Sequence, residues 1–333
     1  MDNNLRYNLS NFQKLKISNY KSKLAESKVP VIFEVEHLRR LLGLKENYIE
    51  LIILNRHLHY HEFYIPKKNG GERKIVSPSV NLKKIQRWIL DIILSNVETH
   101  HLSFGFKQGV SIVDNAKVHL NKELILCVDI KDFFNQISEE KVTEIFRSFG
   151  YSDDLCYSMS MLCCYENQIP QGAPTSPSLS NIYFSPIDKE LDEYCKSNKL
   201  SYSRYADDIS VSGSKGGVLK SYGEIVYILN KYGFELNYKK TRFLKKSQSQ
   251  KVTGLIVNGK KVNLPKKYRK NLRLEMYYLK KNGLEGHLRE SSNNNDLSNY
   301  KGYIYGKVNF LKMFDKDTAI KYYDILNSLN WDY

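Results

Sequence analysis

Three acidic residues, Asp129, Asp207 and Asp208, have the type and spacing that could support chemistry. Asp129 follows the apolar run 124–128, while Asp207 and Asp208 are adjacent to each other between two short apolar segments. Adjacent carboxylates repel each other, and a cation bound between them would relieve that repulsion. Transfer of a nucleotidyl group uses two divalent ions held by acids from separate elements, and Mg²⁺ prefers carboxylate ligands. We therefore interpret the three acids as a metal-binding group; a hydrophilic turn is the alternative for an isolated Asp-Asp pair.

The elements that must position these acids alternate between helices and short strands. Apolar residues at helical spacing predict helices, and short β-branched or alternating runs bounded by Gly, Pro or Asn predict strands. We predict helices over 34–55, 82–97 and 219–232, helices beginning at Ser138 and Ser176, strands over 63–66, 73–76, 124–130, 202–205 and 209–212, and turns at Asn69-Gly70-Gly71 and Asn258-Gly259. From Pro265 onward the pattern is helical and basic. This order predicts an α+β fold with an antiparallel sheet, helices packed on it and a helical C-terminal region.

The charge of the chain is strongly positive and concentrated in one segment. The 333 residues carry a formal net charge of +15, and the sequence pI is about 9.3. The segment from Lys239 to Lys281 contains fifteen Lys and Arg residues and one acid, Glu275, which gives it a charge of +14. Tyrosines and a phenylalanine are interspersed among these cations. Cations mixed with aromatic rings suit phosphate contact and base stacking, so we interpret the segment as a nucleic-acid grip, with a solvated face as the alternative.

The five cysteines and the N-terminus indicate a cellular compartment. No cysteine pair has the spacing of a zinc site, and an odd number without a framework pattern favours reduced thiols. Residues 1–22 are polar, so we expect no signal peptide, and no apolar run has the length of a membrane span. We therefore expect a cytoplasmic protein without a membrane partner.

Three motifs around the acids resemble those of reverse transcriptases. Residues 205–208, Tyr-Ala-Asp-Asp, are similar to the family's catalytic motif, and residues 128–134 are similar to its first aspartate motif. Residues 170–177, Pro-Gln-Gly-Ala-Pro-Thr-Ser-Pro, resemble the motif that positions template and nucleotide. The three occur in the family's order. The resemblance implies a right-hand polymerase with an N-terminal extension over 1–33, fingers and palm over 34–257 (fingers 34–120, palm 121–257) and a basic helical thumb over 258–333.

The resemblance also implies roles for individual residues. The ligands of two Mg²⁺ ions, for which Mn²⁺ could substitute, would be Asp129, Ile130, Asp207 and Asp208. The residues around an incoming dNTP would be Lys67, Arg73, Lys74, Phe134, Gln171 and Gly172. Of these, Phe134 would exclude a ribose 2′-hydroxyl, with core packing beside Phe133 as the alternative. Lys240 would protonate the leaving pyrophosphate.

Two shorter elements resemble those of retron reverse transcriptases, a bacterial group. They are Asn115-Ala116-Lys117-Val118-His119, in which Asn115 and His119 would share one helix face, and Val252-Thr253-Gly254. The resemblance implies that the enzyme recognises a cognate structured non-coding RNA and primes from the 2′-hydroxyl of an internal guanosine. The product would be branched msDNA, an RNA–DNA hybrid, made in antiphage defence together with an effector protein. The implied nucleic-acid contacts are Asn115, His119, Val252, Thr253, Gly254, Lys266, Lys267, Arg269, Lys270 and Arg273.

Two other interpretations of the motifs are open. The chain could be a polymerase-like scaffold that holds an RNA–DNA ligand and an effector, or another bacterial defence or diversity-generating reverse transcriptase with different priming. The alternating His57, His59 and His61 would share one face of a strand. They lack an evident fourth ligand for zinc, so we favour a surface or RNA-facing strand.

Overall fold

The computed structural model describes residues 11–67, 70–290 and 297–331. Asn69, in the predicted hairpin turn, and residues 1–10 of the predicted N-terminal extension lie outside these ranges. The helices are α1 (Asn11–Glu26), α2 (Val35–Leu41), α3 (Tyr48–Leu54), α4 (Val80–Trp88), α5 (Ile112–Lys117), α6 (Glu139–Phe149), α7 (Asp153–Cys163), α8 (Ser176–Ser197), α9 (Lys215–Lys231), α10 (Lys266–Glu290), α11 (Leu297–Lys312) and α12 (Lys316–Asn327). The strands are β1 (Tyr60–Pro66), β2 (Glu72–Pro78), β3 (Leu124–Asp129), β4 (Ser201–Tyr205), β5 (Asp208–Gly213), β6 (Arg242–Lys245), β7 (Lys251–Val252) and β8 (Leu255–Ile256).

The central sheet is antiparallel, with strands in the order β4-β5-β3-β6. Every residue of β3 is buried, because the two faces of this apolar strand are both covered. Leu126 and Val128 belong to a core shared with helices α6–α9, whereas Ile125 and Cys127 belong to a second core shared with the C-terminal helices. The alternation of side chains along β3 therefore joins the two cores through a single strand.

Helices α6 and α8 begin where the sequence predicts, and α6 also ends there. The Ser138 hydroxyl accepts a hydrogen bond from the Lys141 N–H at 3.3 Å and caps α6, and Gly150 ends that helix with a φ of 105°. Pro177 lies in the first turn of α8, where a missing N–H costs nothing. The predicted α+β class, with an antiparallel sheet and a helical C-terminal region, is confirmed.

An antiparallel hairpin, β1–β2, stands apart from the central sheet, and most of its residues are exposed. Its inner strand contacts the loop that precedes α8: the Val76 N–H donates to the Gln171 carbonyl oxygen at 2.9 Å. This hydrogen bond fixes the position of the hairpin relative to the loop.

Three predictions of secondary structure were wrong in detail. The helix predicted over 34–55 is two helices, α2 and α3, because Gly43 and Asn47 adopt left-handed conformations between them. The helix predicted over 82–97 is α4 followed by a π-helical turn and a 3₁₀ turn. The single hairpin predicted to turn at Asn258-Gly259 is two reversals: β7 and β8 turn at Thr253-Gly254, where both residues have positive φ, and an isolated antiparallel bridge joins Ile256 to Asn263 across the segment that contains Asn258-Gly259.

The C-terminal helices α10, α11 and α12 pack around the second core. Helix α10 contains one non-helical residue, Gly283, with a φ of 67°. Across the described ranges, no helix combines the length and apolarity that crossing a membrane requires.

Candidate active site

The three predicted acids meet at one end of the central sheet. Asp129 is the last residue of β3 and lies directly opposite Asp208, the first residue of β5. Asp207 occupies the turn between β4 and β5, and its carbonyl oxygen accepts a hydrogen bond from the Ile130 N–H at 3.0 Å. The Asn237 N–H donates to the Asp129 carbonyl oxygen at 2.8 Å. Backbone hydrogen bonds thus hold the acids on rigid elements.

The electrostatics of the acids favour a bound cation. Burial, and then the negative charge of Asp129, raises the pKa of Asp207. Burial, reinforced by the charges of Asp207 and Asp129, raises the pKa of Asp208 to about 6. The Lys240 ammonium lies 2.9 and 2.8 Å from the two carboxylate oxygens of Asp129, and this hydrogen bonding raises the pKa of Lys240. A divalent ion would relieve the remaining repulsion among the acids.

The donor set fits a hard divalent metal. Asp129 and Asp207 line a cavity of about 510 Å³. Among the described residues that line it there is no histidine or cysteine, so the available ligands are oxygen atoms. Oxygen donors select Mg²⁺ or Mn²⁺ over zinc. Asp129 and Asp207 are the side chains in the lining that would hold such ions, and Ile130 also lies at the cavity wall. Asp208 is not among the described lining residues; it would join them from its position opposite Asp129.

The same cavity collects most of the residues predicted to contact a nucleotide. Lys67, Arg73 and Lys74 come from the β1–β2 hairpin, Gln171 comes from the loop that is hydrogen-bonded to this hairpin, and Phe134 comes from the turn after β3. The Lys74 ammonium is engaged by Glu62 at 2.7 Å and Glu166 at 3.4 Å. Five predicted nucleotide-binding residues therefore face the predicted metal ligands across one space.

Gly172 has a different position from the one predicted for it. It is absent from the described lining of the cavity and packs behind it, against β2. Its φ is +141°, and a Cβ atom there would lie 2.7 Å from the carbonyl oxygen of Val76. Only glycine allows this approach, so Gly172 sets the distance between the hairpin and the loop.

The turn that carries Asp207 is held by a buried ion pair that the motif-based predictions missed. The Arg204 and Asp188 side chains are both 0% exposed, and their closest atoms are 2.6 Å apart. Arg204 also donates to the Ala206 carbonyl oxygen at 3.0 Å, and Tyr202 donates to Asp188 at 2.6 Å. The signal in the sequence was a charged residue two positions after Tyr202, on the inward face of β4.

The retron-like elements lie inside the protein. Asn115 and His119 are 1% and 0% exposed, and Ser203 of β4 contacts both: its hydroxyl donates to the Asn115 side-chain oxygen at 2.5 Å and lies 2.8 Å from His119 Nε2. His119 Nδ1 lies 2.7 Å from the Ser212 hydroxyl. Asn115 donates to the Thr253 hydroxyl at 3.4 Å. The two elements therefore contact each other and the central sheet.

This burial corrects part of the predicted nucleic-acid interface. The side chains of Asn115, His119 and Val252 have almost no exposed surface, so they cannot touch nucleic acid directly. His119 lies beyond the end of α5 at Lys117, although it still shares the inward side with Asn115. Thr253 is half-buried and Gly254 is exposed at the turn.

The predicted thumb cations have the accessibility that phosphate contact requires. They lie along α10 next to a shallow cavity bounded by α12, and all are exposed: Lys266, Lys267, Arg269, Lys270 and Arg273. Duplex backbone could reach each of them.

The histidines do not form the strand face that their alternation predicts. His57 and His59 lie in a 3₁₀ turn, and only His61 is in β1. Another group, His100, His101 and Asp192, has potential ligand atoms within 4.8 Å of one another. There the Leu102 N–H donates to His100 Nδ1, and the Lys196 ammonium lies 2.6 Å from Asp192. These partners account for the group without a metal.

The chain is similar to known reverse transcriptases. A family model described as reverse transcriptase (RNA-dependent DNA polymerase) matches residues 65–257. A retron Ec86 reverse transcriptase from Escherichia coli is 32% identical over 254 residues, covering 75% of this chain and 79% of that protein. A retron Mx162 reverse transcriptase from Myxococcus xanthus is 30% identical over 257 residues, covering 67% of this chain and 53% of that protein.

A solved structure of telomerase from Candida albicans, in complex with a TWJ fragment of telomeric RNA, also matches the chain. The match has a TM-score of 0.47 and 15% sequence identity, and it covers 94% of this chain and 64% of that one.

Proposed function

Because the chain belongs to the reverse transcriptase family, as a retron-type RNA-directed DNA polymerase, we propose that it copies a cognate structured RNA from an internal guanosine 2′-hydroxyl. The product would be a branched RNA–DNA hybrid, msDNA. The observation that carries this proposal is the one cavity in which Asp129 and Asp207 face Lys67, Arg73 and Phe134. Family membership implies a reaction that depends on a divalent metal.

The residues of the cavity divide the work of nucleotide addition. Two Mg²⁺ ions on Asp129, Asp207 and Asp208, or Mn²⁺ in their place, would activate the attacking hydroxyl and stabilise the leaving pyrophosphate. Arg73 suits two-point contact with the triphosphate, and Lys67 adds a point charge. Both cations enter from the same hairpin, so hairpin position sets the position of the dNTP.

Two further residues act on the ends of the nucleotide. The Phe134 ring, at the cavity wall, would exclude a ribose 2′-hydroxyl by contact. Lys240 stays protonated while it is paired with Asp129, because that pairing raises its pKa. From this position the Lys240 ammonium would give its proton to the leaving pyrophosphate.

We assign the fingers to 34–120, the palm to 121–257 and the thumb to 258–333. The cavity supports this division, since hairpin β1–β2 supplies its cations and the central sheet supplies its acids. In the thumb, the exposed α10 cations would hold the RNA–DNA duplex through its phosphates. The partners would be the cognate RNA, its msDNA, dNTPs and an effector protein in antiphage defence.

The test is synthesis in a purified system. Protein, its co-purifying RNA, Mg²⁺ and dNTPs should yield DNA that stays joined to RNA after denaturation and is released by a debranching enzyme. An Asp207→Asn/Asp208→Asn variant should bind RNA normally and make no DNA. DNA synthesis by that variant would refute the metal assignment. Product extended from an RNA 3′ end, with no branch, would favour another class of reverse transcriptase, and an effector complex without synthesis would favour a scaffold.

A further inference from the structure

Phe106 is a bulky side chain in a position that folding alone does not explain. Its ring is 50% exposed, although it lies in the wall of the nucleotide cavity. Its φ is +61°, in the left-handed region that phenylalanine rarely adopts. An exposed aromatic ring on strained backbone is a combination that occurs where surrounding contacts impose it for function.

The backbone on the N-terminal side of Phe106 is fixed to the catalytic turn. A Cβ atom on Gly105 would lie 2.4 Å from the Ala206 nitrogen, so the two backbones are in direct contact. The buried Asn181 side chain donates to the Gly105 carbonyl oxygen at 2.7 Å. The Phe104 N–H donates to the Arg204 carbonyl oxygen at 2.8 Å. The backbone that leads into Phe106 is therefore fixed to the turn that carries Asp207.

The ring of Phe106 contacts the proposed sugar barrier. Its centroid is 6.1 Å from that of Phe134, with the rings tilted by 41°. Phe134 also contacts Phe133, whose ring centroid is 5.5 Å away and which is buried in the core. Phe134 belongs to a single 3₁₀ turn, Phe133–Gln136, which restrains a side chain less than a long helix does. Phe106 thus gives Phe134 a second aromatic neighbour, one that lies outside the core.

We propose that Phe106 is a positioning residue for sugar selection. It packs against Phe134 and keeps that ring in the space that a ribose 2′-hydroxyl would occupy. An apolar pocket discriminates against an added hydroxyl by only about a hundredfold in kcat/KM, and it does so only if its side chains cannot move aside. A second ring, held by the catalytic turn, supplies that rigidity. The inference rests on the proposed role of Phe134.

The experiment compares deoxyribonucleotide and ribonucleotide addition. Phe106→Gly removes the ring and suits the left-handed backbone, so the variant should fold; Phe106→Tyr keeps the ring. For single-nucleotide extension of a primed RNA template, the ratio of kcat/KM for dGTP to that for GTP should fall about tenfold in Phe106→Gly and stay near the wild-type value in Phe106→Tyr. Tyr157→Ala, which removes an exposed ring on α7, is the matched control and should leave the ratio unchanged.

A double-mutant cycle shows whether Phe106 acts through Phe134. In a Phe134→Ala background, Phe106→Gly should have no further effect on the ratio. A full additional loss there would overturn the inference, as would equal losses for both nucleotides in Phe106→Gly alone, which would indicate contact with primer or template. If Phe134→Ala itself leaves the ratio unchanged, the proposed barrier fails. If Phe134→Ala lowers the ratio but Phe106→Gly does not, only the role of Phe106 fails.

Discussion

Replacing Asp188 by asparagine should destabilise the protein more than any exposed charge change. The Asp188 carboxylate accepts hydrogen bonds from Tyr202 at 2.6 Å and from Arg204 at 2.7 and 2.6 Å. Both members of the ion pair are fully buried. Asp188→Asn leaves the Arg204 guanidinium in the core without a counter-charge, which costs about 3–5 kcal/mol.

The corresponding fall in melting temperature follows from the size of the chain. An unfolding entropy of about 2.1 cal/mol/K per residue gives roughly 0.7 kcal/mol/K for the 333 residues. The expected decrease in Tm is therefore about 4–7 °C, measured by circular dichroism. Glu190→Gln, which breaks the exposed pair with Lys231, is the control and should cost less than about 1 kcal/mol. A Tm for Asp188→Asn within about 1 °C of wild type would refute the reasoning.

A variant that lacks both charges separates the effect of the ion pair on stability from its effect on activity. Asp188→Leu/Arg204→Met removes both charges, so part of the stability should return; the buried Tyr202 hydroxyl then lacks its acceptor, which keeps the recovery incomplete. The Ala206 carbonyl oxygen would still lack the donor that Arg204 provides at 3.0 Å. Single-turnover extension by the double variant should therefore remain well below that of the wild type, even where its Tm is partly restored.

Three further outcomes are expected. Burial lowers the pKa of His119 to about 3, so the unfolded chain takes up a proton before the folded chain does as the pH falls. The contribution of His119 to stability should therefore be complete above about pH 6.5 and fall by about 2 kcal/mol between pH 6.5 and 5, measured by urea titration. His119→Gln should lack this pH dependence. Gly172→Ala should cost about 1–3 kcal/mol and raise the KM for dNTP in steady-state assays, since its Cβ would meet Val76 at 2.7 Å; normal values for both would contradict the close packing. Neutralising the α10 lysines Lys266, Lys267 and Lys270 should reduce the slope of log affinity against log salt concentration for duplex binding by roughly 2–3. An unchanged slope would mean that the duplex lies elsewhere.

The sequence predicts the strands and the turn that carry the three acids well, because the relevant signals are local. An apolar run that ends in Asp129 and a turn that carries Asp207-Asp208 each specify their own element. The structure places these elements side by side, with Asp129 opposite Asp208. The α+β class and the caps of α6 were predictable for the same reason, since capping depends on neighbours within a few residues.

The rest of the site depends on contacts between distant parts of the chain. Arg204 and Asp188 come from a strand and a helix, and neither belongs to a recognisable motif. Phe106 gains significance only from its contact with Phe134. Motif resemblance also assigned Asn115 and His119 to nucleic acid, whereas their burial gives them a structural task. Sequence patterns identify chemistry at exposed motifs more reliably than they distinguish a contact residue from the residue that supports it.

The contacts of Thr253 determine where the C-terminal region can bend. Its hydroxyl donates to the Ile112 carbonyl oxygen at 3.2 Å and accepts from Asn115, and neighbouring Val252 packs in the core with Ile125 of β3. These contacts tie the segment that leads into the C-terminal helices to the central sheet. A bend in those helices would therefore lie further along, at Gly283, which interrupts α10 with a φ of 67° and a ψ of −176°. This conformation is open essentially only to glycine, so Gly283→Ala should strain the interruption and shorten the product made in one encounter without changing the rate of a single addition.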